Sequence, residues 1–134
     1  MVSMQRGGSF FHHADSFAMI RGGHIDLSVL GAYEVSERGD IANWSTGSDD
    51  AIPGVGGAMD LAAGARRLWV LMESANKQGR SRIVKNCSYP LTAVGAVERV
   101  YTDIAVLQVG SDGFSIIDTV PGLTEPELIR RLDL

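Results

Sequence analysis

The stretch Gly54-Val55-Gly56-Gly57-Ala58-Met59-Asp60 constrains this chain more than any other part of its 134 residues. Three glycines in four positions leave the backbone bare, so peptide N–H groups there approach a neighbour closely. The residues behind them, Ala58-Met59-Asp60-Leu61-Ala62-Ala63, predict a helix running to about Ala65. Unpaired N–H donors and the positive end of a helix dipole then fall at the turn. That arrangement suits an anionic ligand or a developing oxyanion. It suits a plain strand-to-helix connection equally well.

The chain is long enough for one domain with a real core, and its 45% hydrophobic and 21% charged residues are ordinary for a globular protein. The formal net charge is −4, with no run of lysine or arginine, which argues against nucleic acid as a partner. No apolar stretch approaches the ~20 residues that a membrane span requires. One cysteine excludes an internal disulfide and suits a cytoplasmic protein. Sixteen glycines imply sharp turns between short elements.

Residues 1–8 carry no clear pattern. Asp15 or Ser16 caps a short predicted helix through about Arg21, with Gly22-Gly23 as its stop. Ile25-Asp26-Leu27-Ser28-Val29 alternates as a strand that Gly31 ends or bends. Glu37–Pro53 reads as one long loop. Leu68–Met72 is continuously apolar, as in a strand covered on both faces. A polar loop follows near Asn76–Gly79, and Ile104–Val109 and Phe114–Ile117 form a hairpin across residues 110–113. Thr124-Glu125-Pro126-Glu127 is a capping box for a last helix. The order of elements predicts an α/β fold, a mostly parallel sheet flanked by helices.

Outside the glycine turn, several blocks follow in a specific order. They are Ser16–Asp26, Val29–Ala32, Gly39-Asp40-Ile41-Ala42-Asn43-Trp44, Cys87-Ser88-Tyr89-Pro90-Leu91-Thr92 and Arg99–Val106. With the turn they resemble the B subunit of the family I CoA-transferases, from about Gly8 to the C-terminus. The resemblance implies the CoA-transferase fold and a coenzyme A thioester as substrate, with no bound cofactor and no metal. It implies a partner A subunit, in a hetero-oligomer or homo-oligomer, and a 3-oxo acid as acceptor. Tyr89 and Val100-Tyr101-Thr102-Asp103 are closer to the 3-oxoadipate branch than to the acetoacetate branch, which is the alternative.

The family's nucleophile is the glutamate of a Ser-Glu-Asn-Gly motif near the start of the subunit, and it becomes a glutamyl-CoA thioester. This chain has only Ser36-Glu37-Arg38-Gly39, in what the family makes a variable turn, and Glu37 reads as a residue of a solvated turn. Residues 1–134 are therefore expected to be a single domain incomplete at its N-terminus. The chain alone is expected to be inactive, an assembly domain. A sugar-phosphate module of the same fold is a further alternative.

By the same resemblance Gly57, with Gly56, offers backbone N–H groups to the oxyanion, and Asn43 and Trp44 lie at the acyl pocket or a subunit interface. Met59 and Asp60 serve the fold. The basic run Arg80–Lys85 reads as a solvated face, although it is basic enough to meet a CoA phosphate. His12 and His13, adjacent, point apart in an extended segment, and no Cys-His spacing supports zinc. His24 fixes a turn, and Cys87 lacks the paired base that activation requires. Ser74 departs from the family, where histidine is common. Leu68–Met72 and the Phe10-Phe11 pair would seek cover from a partner.

Overall fold

Strand β4 (Leu68–Leu71) is the strand around which the rest is arranged. It pairs in parallel with β1 (Ser28–Leu30) on one side and with β6 (Val97–Tyr101) on the other. Strands β7 (Ala105–Gly110) and β8 (Gly113–Thr119) extend the sheet antiparallel as a hairpin, giving the order β1-β4-β6-β7-β8. A second sheet has the order β3-β2-β5, where β2 is Glu34–Ser36, β3 Ile41–Ala42 and β5 Ile83–Val84. Among the described residues the helices are α1 (His13–Arg21), α2 (Ala58–Gly64) and α3 (Glu125–Leu132). The structure, a computed structural model, describes residues 3–47 and 54–134. The α/β architecture is as the sequence predicts, with the parallel pairing concentrated around β4.

One hydrophobic cluster unites both sheets with α2 and α3. It joins Val35, Ile41 and Ile83 of the small sheet to Leu68, Val70, Val97, Val100 and Leu107 of the large one. Ala62 of α2 and Leu128 and Leu132 of α3 close it. Burying a side chain of this size stabilises by ~1.5–3 kcal/mol, so these contacts set the fold. No helix among the described residues is long and apolar enough to cross a membrane.

Four details differ from the sequence reading. Helix α1 begins at His13, because His12 takes the cap: its Nδ1 accepts the Ala14 N–H at 3.2 Å, leaving Asp15 in the first turn. Strand β1 starts at Ser28 rather than Ile25, since its parallel neighbour β4 begins only at Leu68. The long loop contains β3, whose Ile41 and Ala42 are fully buried, while its residues 48–53 lie outside the described residues. Strand β4 is not covered on both faces, for Leu68 and Val70 are buried but Leu71 is 62% exposed.

Candidate functional site

The glycine turn is built as the local sequence requires. Gly56 sits at φ +53°, a left-handed conformation that favours glycine, and Ala58 N–H donates to Val55 O at 3.2 Å. Gly57 is the N-cap of α2, its carbonyl accepting the Leu61 N–H at 3.0 Å. A Cβ on Gly57 would run into the ring of Phe17 from α1, so any larger residue there requires that ring to move. No side chain caps α2, and among the described residues no acceptor takes the Gly57 N–H.

Asp60, in the first turn of α2, clamps α1 through Arg21. Nε meets Oδ1 at 2.8 Å and Nη2 meets Oδ2 at 2.7 Å. The hydrogen bond and charge of Arg21 hold the Asp60 carboxyl below the usual carboxylate range. Both groups keep contact with water, so the pair orients the helices more than it stabilises them.

Asn43 is a tie between three segments. Its Nδ2 donates to Gly31 O at 3.1 Å, just past the end of β1. Its Oδ1 accepts the Thr92 hydroxyl at 2.6 Å, and its N–H donates to Thr92 Oγ1 at 3.2 Å. Both ends of the amide are thus engaged inside the protein. Trp44 is half-buried, its Nε1 donating to Leu91 O at 3.2 Å. Thr92 also lines a cleft of about 570 Å³ beneath α2, with Met59, Ala62, Ala63, Val94 and Ala96. The cleft, the candidate site, is thus walled by α2 residues beyond the glycine turn and by the 92–96 segment. Gly56, Gly57, Asn43 and Trp44 are not in its lining, and Asn43 reaches it only through its hydrogen bonds with Thr92.

Ser36-Glu37-Arg38-Gly39 is the turn between β2 and β3. The buried Ser36 Oγ accepts the Asp40 N–H at 3.1 Å and donates to Asp40 Oδ2 at 2.9 Å. Glu37 is half-buried and its N–H donates to Val84 O at 2.9 Å, so it continues the β2–β5 ladder while its neighbour Arg38 is exposed.

Ser74 is buried, its N–H donating to Asp103 Oδ1 at 2.7 Å. Burial pushes the Asp103 carboxyl up, but hydrogen bonds from Ser74 and from its own backbone outweigh this and hold it low. Ser74 therefore fastens the segment after β4 to the β6–β7 turn. Cys87 is half-buried with Sγ 3.7 Å from Asp40 O. Burial, with the Glu34 and Asp40 carboxylates, pushes its thiol up to about 12, which suits a structural residue and not a nucleophile.

The His12 and His13 rings do not point apart. Their centroids are 4.4 Å apart, because the helix start folds the segment back. Among the described residues no group of histidine, cysteine and carboxylates could hold a metal ion. His24 turns after α1, its N–H donating to Met19 O at 3.0 Å.

The roles of Thr92, Gly31 and Asp103 escaped the sequence reading, although Thr92 stands in the Cys87–Thr92 block. So did the platform on the outer face of the sheet. There the Arg67 and Arg99 guanidinium groups lie 5.1 and 5.2 Å from the Trp69 ring, and Glu98 receives Arg67 at 2.7 Å.

Compared with known proteins, the chain is 52% identical over 127 residues to the B subunit of 3-oxoadipate CoA-transferase from Pseudomonas putida, covering 95% of this chain and 60% of that protein. It is 50% identical over 129 residues to the corresponding protein of Acinetobacter baylyi, covering 96% of this chain and 59% of that one. It is 47% identical over 123 residues to the B subunit of a succinyl-CoA:3-ketoacid coenzyme A transferase from Helicobacter pylori, covering 92% and 59%. The chain thus spans about 60% of the length of these relatives.

Its fold is similar to that of an acyl-CoA transferase of Escherichia coli O157:H7 in a thioester complex with CoA. The TM-score is 0.76 at 18% identity, over 94% of this chain and 29% of that one. The AibA/AibB decarboxylase shares the fold at a TM-score of 0.60 and 23% identity, over 88% and 50%. With the sequence profile of the family described as Coenzyme A transferase matching residues 1–124, this chain belongs to that family.

Proposed function

We propose that this chain is part of a CoA-transferase that moves CoA from succinyl-CoA to a 3-oxo acid, with 3-oxoadipate favoured. The observation that carries the reading is the 50–52% identity, across nearly the whole chain, to proteins named as B subunits of 3-oxoadipate CoA-transferase. The glycine turn, with an uncapped Gly57 N–H at the start of α2, supports it. In such a transfer a carboxylate attacks the thioester carbonyl and the CoA thiolate leaves, giving a mixed anhydride. The thiolate then attacks the enzyme's acyl carbon and the free acid departs. Each addition passes through a tetrahedral oxyanion, for which a fixed N–H donor is commonly worth ~3–4 kcal/mol.

Gly57, with Gly56 shaping the turn, supplies that donor on this reading. Asn43 and Trp44 support the pocket from behind through their internal hydrogen bonds, Asn43 with one amide N–H committed to Gly31 O. The nucleophilic glutamate comes from outside this sequence, and an A subunit completes the site. The protein works in the cytoplasm, with CoA thioester as substrate and no bound cofactor.

The test is turnover of succinyl-CoA by this chain mixed with an A subunit and a segment carrying Ser-Glu-Asn-Gly, with 3-oxoadipate or acetoacetate as acceptor. Faster turnover of acetoacetate replaces the favoured acceptor with the alternative. The chain alone, treated with succinyl-CoA and then borohydride, is expected to carry no label. A label on Glu37 would overturn both its inactivity and the reading of Glu37 as a turn residue.

A further inference from the structure

Three separate segments meet around a cleft of about 660 Å³: the turn at 76–80, the end of β5 and the C-terminus of α3. They bring Arg80, Lys85, Arg130 and Arg131 to its lining, against the carboxylates of Glu34 and Asp133. The backbone holds these pieces in place. Asn76 Oδ1 accepts the N–H groups of Gln78 and Arg80, both at 3.0 Å, and Ser81 Oγ lies 2.8 Å from the Leu132 carbonyl oxygen. All four cations are exposed. The ion pairs among the described residues are Arg21–Asp60, Arg66–Asp26 and Arg67–Glu98, and none draws on this cleft. Glu34 already accepts the Ser88 N–H at 2.6 Å and its hydroxyl at 2.8 Å.

Cations at the end of α3 suit the helix dipole, which accounts for Arg130 and Arg131. It does not account for Arg80 and Lys85, which arrive from other elements and add like charge, in a chain whose net charge is −4. Convergent guanidinium and ammonium groups match phosphate oxygens in geometry and charge. Glu34 stands three residues beyond Gly31, at most ~11 Å of backbone, and Gly31 is tied through Asn43 to Thr92, which lines the cleft beneath α2.

We propose that this cleft binds the phosphate-bearing end of an extended ligand whose other end occupies the cleft beneath α2. Its identification as the nucleotide phosphates of CoA rests on the CoA-transferase reading above.

The experiment is titration calorimetry of the chain in complex with an A subunit, with CoA, inorganic pyrophosphate and pantetheine at two salt concentrations and the A subunit alone as blank. The variants are Arg80→Gln/Lys85→Gln and, as a control, the exposed Arg6→Gln, with circular dichroism to check each fold. Pyrophosphate is expected to compete with CoA, and pantetheine is not expected to compete with pyrophosphate. Both phosphate ligands are expected to bind at least tenfold more weakly to the double variant, with a shallower salt dependence. Arg6→Gln leaves them unchanged. CoA binding that the double variant and pyrophosphate leave untouched overturns the cleft assignment while the CoA reading stands. Pyrophosphate binding that the variant weakens, with no binding of CoA, keeps the phosphate site and removes CoA as its ligand. No pyrophosphate binding to the complex of the unaltered chain beyond that of the A subunit alone overturns the proposal outright.

Discussion

Gly57 has two reasons to be glycine, and substitution separates them. Alanine keeps the amide N–H that the oxyanion reading needs, but its Cβ collides with Phe17. Gly57→Ala is expected to destabilise the chain by about 1–3 kcal/mol, the usual range for overpacking. Most of that loss should vanish in a Phe17→Ala background, where the colliding ring is gone. Denaturant midpoints of the four proteins in the cycle check it, and an equal loss in both backgrounds would sink the packing account. Cys87 gives a second test. Its native thiol is raised to about 12 from 9.0, so at neutral pH iodoacetamide should modify the folded chain at least ~100-fold more slowly than the unfolded one. Between those two values the unfolded thiol loses a proton that the native one keeps. This contribution to stability is therefore complete below pH 9 and falls as pH rises toward 12. Asn43 shows how far the sequence reached at this scale. Its importance was visible in the Asn43-Trp44 block, but its role was not, because its partners Gly31 and Thr92 lie 12 and 49 positions away.

At the scale of elements, legibility follows the sequence distance of the stabilising contacts. Helix α3 was readable because its signals are local: Thr124 N–H and Oγ1 meet Glu127 Oε2 at 3.0 and 2.7 Å, and Pro126 lies in the first turn. The β7–β8 hairpin was readable for the same reason, its strands meeting at Gly110 and Gly113. Strands β2 and β5 were not. Each has only two or three residues, and Val35 finds its partner Ile83 across 48 positions, a pairing that no local pattern announces. Strand β6 was hidden by Glu98 and Arg99, charged residues on a central strand that hydrogen bonds to Arg67 and Gln108 make tolerable. The local origin of α3 makes it testable alone. Thr124→Ala should cost about 1 kcal/mol, and thermal denaturation should show that loss while Thr119→Ala, at the exposed end of edge strand β8, leaves stability nearly unchanged. Equal shifts for both would mean that the cap contributes nothing beyond ordinary surface packing.

For the whole molecule, the decisive asymmetry lies between the two faces of the large sheet. One face enters the core through Leu68, Val70, Val100 and Leu107. The other presents Val29, 54% exposed, Leu71, 62% exposed, and Ile117 beside the half-buried Trp69 and Tyr101. Parallel strands in stable α/β proteins are covered on both faces, so this face, with exposed Val29 and Leu71 flanking the Trp69 platform of Arg67, Arg99 and Glu98, is the surface where another polypeptide would pack. Phe10 and Phe11 are exposed as well. The relatives carry the names of B subunits, and an A subunit is the partner that the CoA-transferase reading supplies. The chain alone should therefore self-associate or precipitate, and an added A subunit should convert it into a defined complex. Because the Leu71 side chain contributes little to the core, Leu71→Lys should leave the fold intact while placing a charge in the contact. Sedimentation equilibrium on both proteins, with and without the A subunit, decides the matter. A concentration-independent monomer that ignores the A subunit, or a Leu71→Lys variant that associates as before, would show that this face is a solvated surface after all.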